Sequence, residues 1–279
     1  MKIIVAKKAG FCFGVKRAID ITFDLAKGSK KGIFTYGPLI HNPQVVEELK
    51  QKGISTTDDL YSRNIKTLII RTHGVSPEVY TETSKMGYNL IDVTCPFVKK
   101  AQNFTEKLRD EGYQVLIIGD KNHPEVKGLI GFAGSNVIVA DKIENLKNIK
   151  KKVGIIIQTT QSFETLKEIV LEVIATAREV KIYNTICDST VQRMKETKEI
   201  AKKVDLMIIV GGKNSANTNQ LVNLSKEACA KVYHLETAEE IEKKWLRKVE
   251  KVGISGGAST PQWIINDVIK KIREISGGR

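Results

Sequence analysis

Short, continuous apolar runs recur along the chain, separated by longer segments in which apolar and polar residues alternate at helical spacing. The clearest runs are TLIIRT at 67–72, QVLIIG at 114–119, GIIIQ at 154–158 and LMIIV at 206–210. Strands that are apolar throughout are typical of parallel sheets covered by helices on both faces. The intervening segments, such as 43–53 and 162–180, begin with Pro or Ser and predict helices. The pattern therefore predicts an α/β fold with mostly parallel sheets.

A repeat organises these elements. Cys12, Cys95 and Cys187 each follow an apolar run and precede an amphipathic helical pattern, and Pro96 stands where a helix takes its first residue. A strand-like run ends in glycine 24 or 25 residues after each cysteine, and a third strand follows. Polar side chains mark the loops after these strands: His41, His73, His123, Thr159, Thr160, Ser215 and Ser259. The sequence thus predicts three copies of three strand-loop-helix units, whose loops lie at carboxyl strand ends, where open α/β sheets bind ligands.

Composition narrows the class of protein. The chain has 279 residues, of which 41% are hydrophobic and 28% charged, as in ordinary globular proteins. No apolar run reaches the roughly 20 residues that span a bilayer, and MKIIVAKKAG is charged too early for a signal peptide. We therefore expect a cytoplasmic protein, in which four cysteines indicate metal binding or catalysis rather than disulfides.

The formal net charge is +13, but its distribution argues against nucleic acid. Lysines alternate with acids at helical spacing in KKAQNFTEKLRDEG and EIEKKWLRKVEK, and no basic stripe interleaves with aromatic residues. Solvated helix faces are the favoured explanation. A positive surface that receives an anionic substrate or an acidic protein is the alternative.

The three repeat-equivalent cysteines are candidate iron ligands. A strand-to-helix junction favours the thiolate, which is the form that binds metal. Electron-carrier clusters normally have four thiolates, so three would leave one iron able to take substrate oxygen and act as a Lewis acid. Each cysteine taken singly is more often a small buried hydrophobe, and the repeat reverses that preference. Cys229 lies within a helical pattern outside the repeat and is predicted to be structural.

The loop residues predict an anion site. His41, His73 and His123 indicate ligands for an anion or a metal, whereas His234 is predicted to be structural. Thr159, Thr160, Ser215, Asn217 and Ser259 are small donors near helix starts, where backbone N-H groups bind phosphate; ordinary N-caps are the alternative. Glu125 is a candidate general acid whose proton affinity would rise in a partly dry site, or else a first-turn acid that completes the helix dipole.

Eight motifs together carry a family resemblance. They are GFCFGVKRAI, HNP at 41–43, RTHGVSP, DVTCPFV, NHPEVKG, QTT, KNSANT and GGASTP. With them the chain resembles the LytB (IspH) family of 4-hydroxy-3-methylbut-2-enyl diphosphate reductases, which act last in the methylerythritol phosphate route to isoprenoids. The resemblance runs from Met1 to about Ile272 and uses every repeat loop.

The resemblance implies one 4Fe-4S cluster per chain, held by Cys12, Cys95 and Cys187, with one iron not ligated by cysteine. It also implies three α/β domains in pseudo-threefold arrangement around that site. The implied borders are 13–95, 96–187 and 188–279, and the N-terminal strand at 1–12 completes the last domain. Repeat counting alone leaves these borders open.

The resemblance further implies catalytic and binding roles. Glu125 and Thr159 would lie near the substrate's hydroxyl, and Glu125 would supply protons for a reductive dehydroxylation to isopentenyl and dimethylallyl diphosphate. Electrons would come from ferredoxin or flavodoxin. The diphosphate would be held by His41, His73, His123, Ser215, Asn217 and Ser259. Ala216 stands where relatives carry serine or glycine, so only its backbone N-H could serve there.

Other classes make different predictions. A non-catalytic iron-sulfur redox sensor would have a cluster indifferent to diphosphates, and a structural zinc protein would be colourless. A nucleic-acid binder would lose affinity steeply with salt. The sequence contains neither a P-loop motif nor GxGxxG, so it implies no nucleotide site, and it contains no CxxC.

Overall fold

The computed structural model describes residues 1–28, 32–62 and 64–277. Helices and parallel strands alternate along this part of the chain. Its α-helices are α1 (Phe13–Gly28), α2 (Pro43–Gln51), α3 (Pro77–Met86), α4 (Pro96–Asp110), α5 (Pro124–Ala133), α6 (Phe163–Thr176), α7 (Asp188–Ala201), α8 (Ala216–Lys226) and α9 (Gln262–Ile275). No helix in the described ranges is both long and apolar enough to cross a bilayer.

The chain divides into two compact units. Unit 1 comprises Met1–Lys16, His41–Val46 and Asp188–Arg279, and unit 2 comprises Arg17–Ile40 and Glu47–Cys187. Unit 1 contains one four-stranded sheet of order β1-β12-β10-β11. Its strands are β1 (Lys2–Val5), β10 (Leu206–Val210), β11 (Val232–Leu235) and β12 (Lys251–Gly256). The division into three domains stays a prediction.

Unit 2 contains two four-stranded sheets, of order β3-β2-β4-β5 and β7-β6-β8-β9. The first is formed by β2 (Ile33–Tyr36), β3 (Ile54–Thr57), β4 (Thr67–Ile70) and β5 (Asn89–Asp92). The second is formed by β6 (Gln114–Ile118), β7 (Val137–Ala140), β8 (Lys152–Ile157) and β9 (Glu179–Tyr183). Every strand pair in the described sheets is parallel. The predicted α/β fold with parallel sheets is therefore confirmed.

Burial on both faces explains the continuous apolar runs. Every residue of β6 and β10 is buried. Along β10, Ile208 packs in one apolar cluster with residues of α9, whereas its neighbour Ile209 packs in another with residues of α7 and α8. Successive side chains of a strand point to opposite faces, so a sheet between two helical layers requires apolar residues at both.

Two expectations about the elements are wrong. Three strands per copy were expected, but each sheet in the described chain has a fourth, namely β3, β7 and β11. The helix expected at 162–180 ends at Thr176. The last two residues of the expected helix, 179 and 180, instead belong to β9, which pairs with β8 in the register Lys152↔Glu179. Pairing with a buried strand therefore overrides the helical pattern there.

Candidate active site

The cysteines of the repeat occupy equivalent places in the three sheets of the described chain. Each follows an edge strand, and its backbone N-H donates to a carbonyl two residues beyond the end of the neighbouring strand. The pairs are Cys12 with Ala258 (3.1 Å), Cys95 with Thr72 (3.0 Å) and Cys187 with Thr159 (3.0 Å). The same main-chain bond thus fixes each cysteine loop against its own sheet.

A helix begins directly after each of these cysteines. Cys95 is the N-cap of α4, and Pro96 is its first residue, as predicted. The thiols of Cys12, Cys95 and Cys187 are half-buried. Their partial exposure leaves the three cysteines accessible to a metal ion. These loops can therefore supply soft sulfur ligands.

Cys229 lies in a different environment. It was expected within a helix, but α8 ends at Lys226, so that expectation is wrong. Its buried thiol belongs to the apolar cluster that contains Ile209, and its Sγ donates to the carbonyl oxygens of Val204 (3.7 Å) and Lys231 (3.4 Å). These contacts stabilise the turn after α8.

Glu125 is a fully buried carboxyl group in the first turn of α5. The backbone N-H of Thr159 donates to its Oε1 at 2.7 Å, and the Thr159 hydroxyl donates to its Oε2 at 2.8 Å. Desolvation by burial raises the pKa of Glu125 to about 7, against the opposing effect of the two Thr159 hydrogen bonds. Glu125 can therefore hold a proton near neutral pH, as a general acid must.

The raised pKa predicts a pH-dependent contribution to stability. The pKa rises from 4.5 to about 7, so the folded state binds more protons than the unfolded state between these values. This contribution to the free energy of unfolding is fully present below pH 4.5 and is lost as pH rises through 7. The total loss is about 3 kcal/mol. Denaturant unfolding of the iron-free chain at several pH values, compared with Glu125→Gln, isolates it. Parallel pH profiles for the two proteins would contradict the assignment.

His123 is both the N-cap of α5 and a neighbour of Glu125. Its Nδ1 accepts the backbone N-H of Glu125 at 3.2 Å. A neutral imidazole whose Nδ1 accepts carries its hydrogen on Nε2, so this ring can offer an N-H donor. The His73 ring lies edge-on to His123, with 5.3 Å between ring centroids. Unit 2 thus brings His73, His123, Glu125 and Thr159 together.

A second polar cluster lies in unit 1, at the N-terminus of α8. Ser215 caps this helix by accepting the backbone N-H of Thr218 at 3.3 Å, and Ala216 is its first residue. The buried Asn217 accepts the backbone N-H of Ala258 at 3.0 Å with its Oδ1. Its Nδ2 is buried and has no hydrogen-bond partner among the described residues. An amide N-H group at a helix N-terminus can donate a hydrogen bond to an anionic oxygen.

His41 and Ser259 belong to the same unit. The Ser259 hydroxyl donates to the His41 carbonyl oxygen at 3.2 Å. Gly212 packs against that carbonyl, because a Cβ added at Gly212 would lie 2.5 Å from the oxygen. The loop after β10 can therefore approach the His41 backbone only with glycine at this position.

Replacing Gly212 by alanine is expected to lower the free energy of unfolding by about 1–3 kcal/mol, because the new methyl group overlaps a backbone atom. Gly28→Ala is the matched control, since a Cβ there meets nothing within 4 Å. Denaturant unfolding of both variants measures the difference. Equal stability of the two would show that the His41 segment moves aside freely.

His234 in β11 and Thr160 in the loop after β8 have structural partners, and one neighbouring residue was missed. His234 Nε2 lies 2.8 Å from the Gly211 carbonyl oxygen, in keeping with its predicted structural role. Thr160 Oγ1 accepts from Gln158 Nε2 at 2.8 Å, and Gln158 Oε1 accepts the backbone N-H of Asp120. Sequence reasoning overlooked Gln158, although the QTT run placed it beside two candidate residues.

The fold and these residues define an α/β protein with thiols in repeated strand-to-helix loops and a buried, protonatable carboxyl group. A family profile described as LytB protein matches residues 3–273. The chain belongs to this family, as the sequence resemblance predicted.

Relatives and solved structures agree with this assignment. A Pelobacter propionicus protein named 4-hydroxy-3-methylbut-2-enyl diphosphate reductase is 45% identical over 278 residues, covering 99% of each chain. An Aquifex aeolicus protein of that name is also 45% identical, over 99% of this chain and 98% of its own. A solved structure of the Plasmodium falciparum E-1-hydroxy-2-methyl-but-2-enyl-4-diphosphate reductase matches with a TM-score of 0.92 and 27% identity, covering 98% of this chain and 88% of that one.

Proposed function

We propose that this protein reduces 4-hydroxy-3-methylbut-2-enyl diphosphate by removing its hydroxyl group. The observation that carries the proposal is 45% identity, over 99% of both chains, to a relative that bears the reductase name. The reaction consumes two electrons and two protons, breaks the allylic C-O bond and releases water. One proton leaves in that water and the other is added to carbon, which yields isopentenyl or dimethylallyl diphosphate. A non-catalytic redox sensor has no support among these relatives.

The half-buried thiols of Cys12, Cys95 and Cys187 fit an iron-sulfur cofactor. Thiolates are its usual ligands, and the three cysteines share one main-chain setting while Cys229 does not. We assign to them one 4Fe-4S cluster in which one iron lacks a cysteine ligand. When bound, that cluster would supply the electrons and a Lewis-acidic iron.

Glu125 and Thr159 are assigned to proton delivery. Glu125 Oε1 faces a backbone N-H, which can only donate, so the proton of the neutral acid must reside on Oε2. There it faces the Thr159 hydroxyl oxygen at 2.8 Å. A hydroxyl group both accepts and donates, so Thr159 can take this hydrogen bond and turn its own hydrogen toward the substrate.

The diphosphate is assigned to side-chain and backbone donors of both units. In unit 1 the buried Nδ2 of Asn217 and the N-terminus of α8 with Ser215 and the Ala216 N-H fit phosphate oxygens. In unit 2 the Nε2-H of His123 is such a donor, and His73 lies against it. His41 and Ser259 complete the proposed set.

The electron donor is proposed to be a small acidic carrier, ferredoxin or flavodoxin, in the reducing cytoplasm. The formal net charge of +13 suits both such a carrier and an anionic substrate. Electrostatic attraction of this kind raises association rates at low salt more than it raises affinity.

Anaerobic purification followed by iron and acid-labile sulfide assays tests the proposal. We expect about four of each per chain, the stoichiometry of a 4Fe-4S cluster. The absorption spectrum should change when the hydroxylated diphosphate is added, and a reduced donor should then produce both isoprenoid diphosphates. An iron-free protein, or a cluster whose spectrum and turnover ignore the diphosphate, would overturn the proposal.

A further inference from the structure

The loop that carries Cys12, residues 6–12, is irregular and is hereafter the Cys12 loop. The Ala9 N-H donates to the Ala6 carbonyl oxygen at 3.1 Å, which closes a tight turn. Gly10 has φ +105°, a backbone conformation that favours glycine. Such a loop has no regular pattern of backbone hydrogen bonds within itself, so its position depends on groups from other elements.

Helix α7 provides two of these groups from one buried arginine. Arg193 is only 2% exposed. Its Nη2 donates to the Gly10 carbonyl oxygen at 2.9 Å, and its Nη1 donates to the carbonyl oxygen of Gly256, the last residue of β12, at 2.7 Å. The planar guanidinium therefore bridges the Cys12 loop and the sheet through two nitrogen atoms at a fixed separation. A lysine, whose donors all lie on one nitrogen, cannot reproduce this geometry.

Glu196 contacts the same loop from the next turn of α7. Its Oε1 accepts the backbone N-H of Lys7 and its Oε2 accepts that of Lys8, both at 2.8 Å. Residues three apart are neighbours on a helix, so Arg193 and Glu196 act from one face. Together they bind carbonyl and amide groups on both sides of Ala9, and charged partners make such bonds shorter and stronger.

We infer that Arg193 and Glu196 are positioning residues that hold the Cys12 loop in the geometry required for iron binding. The inference rests on the proposed function, in which Cys12 is an iron ligand. Neither side chain needs to contact the cofactor, because both act on the backbone within five residues of Cys12. Rigid support of this kind is what ligand residues on loops require.

The charge of Arg193 has a second consequence. A guanidinium remains protonated in proteins, and this one is buried against the carbonyl oxygen of Gly10, which precedes Cys12 by two residues. Each electron that a cluster accepts adds negative charge, which a nearby buried cation stabilises. Arg193 is therefore expected to raise the reduction potential, and removal of its charge should lower it.

Four variants of the full chain test the inference. Glu196→Ala should accelerate hydrogen exchange at the Lys7 and Lys8 amides by about tenfold or more, since it removes both acceptors. Arg193→Met should speed iron loss to a chelator by about tenfold and lower the reduction potential. Arg193→Lys should keep the reduction potential near that of the parent but lose iron faster. Lysine retains the positive charge but lacks the two coplanar N-H donors of the guanidinium.

Thr197→Val is the structural control. Thr197 lies on the buried face of α7, and its hydroxyl forms a hydrogen bond with Ser255 Oγ of β12 at 2.8 Å rather than with a group of the Cys12 loop. It should lower thermal stability without changing iron loss or the potential. If Arg193→Met matches this control in iron retention and potential, the positioning role is overturned.

Two features keep the test decisive. If Arg193→Met fails to fold, Glu196→Ala still tests the inference, because the hydrogen bonds of Glu196 are exposed and their loss should not unfold the chain. Unchanged hydrogen exchange at Lys7 and Lys8 in that variant would overturn the inference. The exchange measurement is made on the iron-free chain as well. It reports on the loop even if the parent protein binds no iron, so a failure of the proposed function is recognised separately.

Discussion

Replacing Glu125 by glutamine is expected to reduce turnover by about 10²–10⁴-fold, the usual contribution of a positioned general acid. Glutamine has nearly the same shape, and its amide oxygen can still accept the Thr159 N-H that now binds Oε1. Its NH₂ group can donate to Thr159 Oγ1 in place of the protonated Oε2. It holds no proton that can be transferred near neutral pH. Steady-state rates with the hydroxylated diphosphate and a reduced donor measure the loss.

The control for this prediction separates catalysis from helix stabilisation. Glu164 occupies the same place in α6 that Glu125 has in α5, the second helical residue, but it is exposed. Glu164→Gln removes a first-turn charge and should leave turnover unchanged. Both variants should retain the iron content and absorption spectrum of the parent. Near-normal turnover of Glu125→Gln would remove Glu125 from the mechanism and leave only its role at the helix start.

The parallel sheets could be predicted because burial leaves a strong signal. A strand such as β10, buried at all five positions, must be apolar at all five, and no amphipathic helix has that pattern. The start of α4 was equally clear, since Pro96 lacks a backbone N-H and suits the first helical position. The equivalence of the cysteine loops followed from the spacing of the repeat, before any sheet order was known.

Edge strands and element ends gave weaker signals. Strand β3 has two exposed residues among its four, so ISTT resembles a polar loop. The end of α6 was misplaced because the helical pattern was extended to residue 180, into Glu179–Tyr183, whose pairing with β8 decides its structure. In both places the deciding interaction is made with a strand that is distant in sequence, which single-sequence patterns cannot contain.

The same limit applies to the candidate site. Glu125 and Thr159 were predicted as separate residues near the substrate through the family resemblance. Their direct pairing joins residues 34 apart, and only the fold reveals that both carboxylate oxygens face Thr159. Arg193 gave no sequence signal, because a lone arginine in a helical segment is normally a surface residue. Its contact with Gly10 spans 183 residues.

Replacing Cys95 by serine is expected to weaken cluster binding by at least about 100-fold. Even substitutions of residues that only hydrogen-bond to a metal ligand commonly weaken metal binding by about 10–100-fold. A serine hydroxyl is a harder and far less acidic ligand than a thiol, so it replaces a thiolate poorly at iron. The Cys95 N-H bond to the Thr72 carbonyl oxygen uses only the backbone and should persist. Iron and sulfide per chain after anaerobic purification measure the loss, and turnover should disappear with the cluster.

Cys229→Ser provides the matched control, since it makes the same exchange of sulfur for oxygen away from the repeat loops. The serine hydroxyl can still donate to the Val204 and Lys231 carbonyl oxygens that now accept from the thiol. Its iron content should equal that of the parent, with at most a modest loss of stability from placing a hydroxyl group in an apolar cluster. If Cys95→Ser retained as much iron as Cys229→Ser, the ligand assignment would fail. The repeat equivalence of the three cysteines would then have to reflect how their loops fold against the sheets.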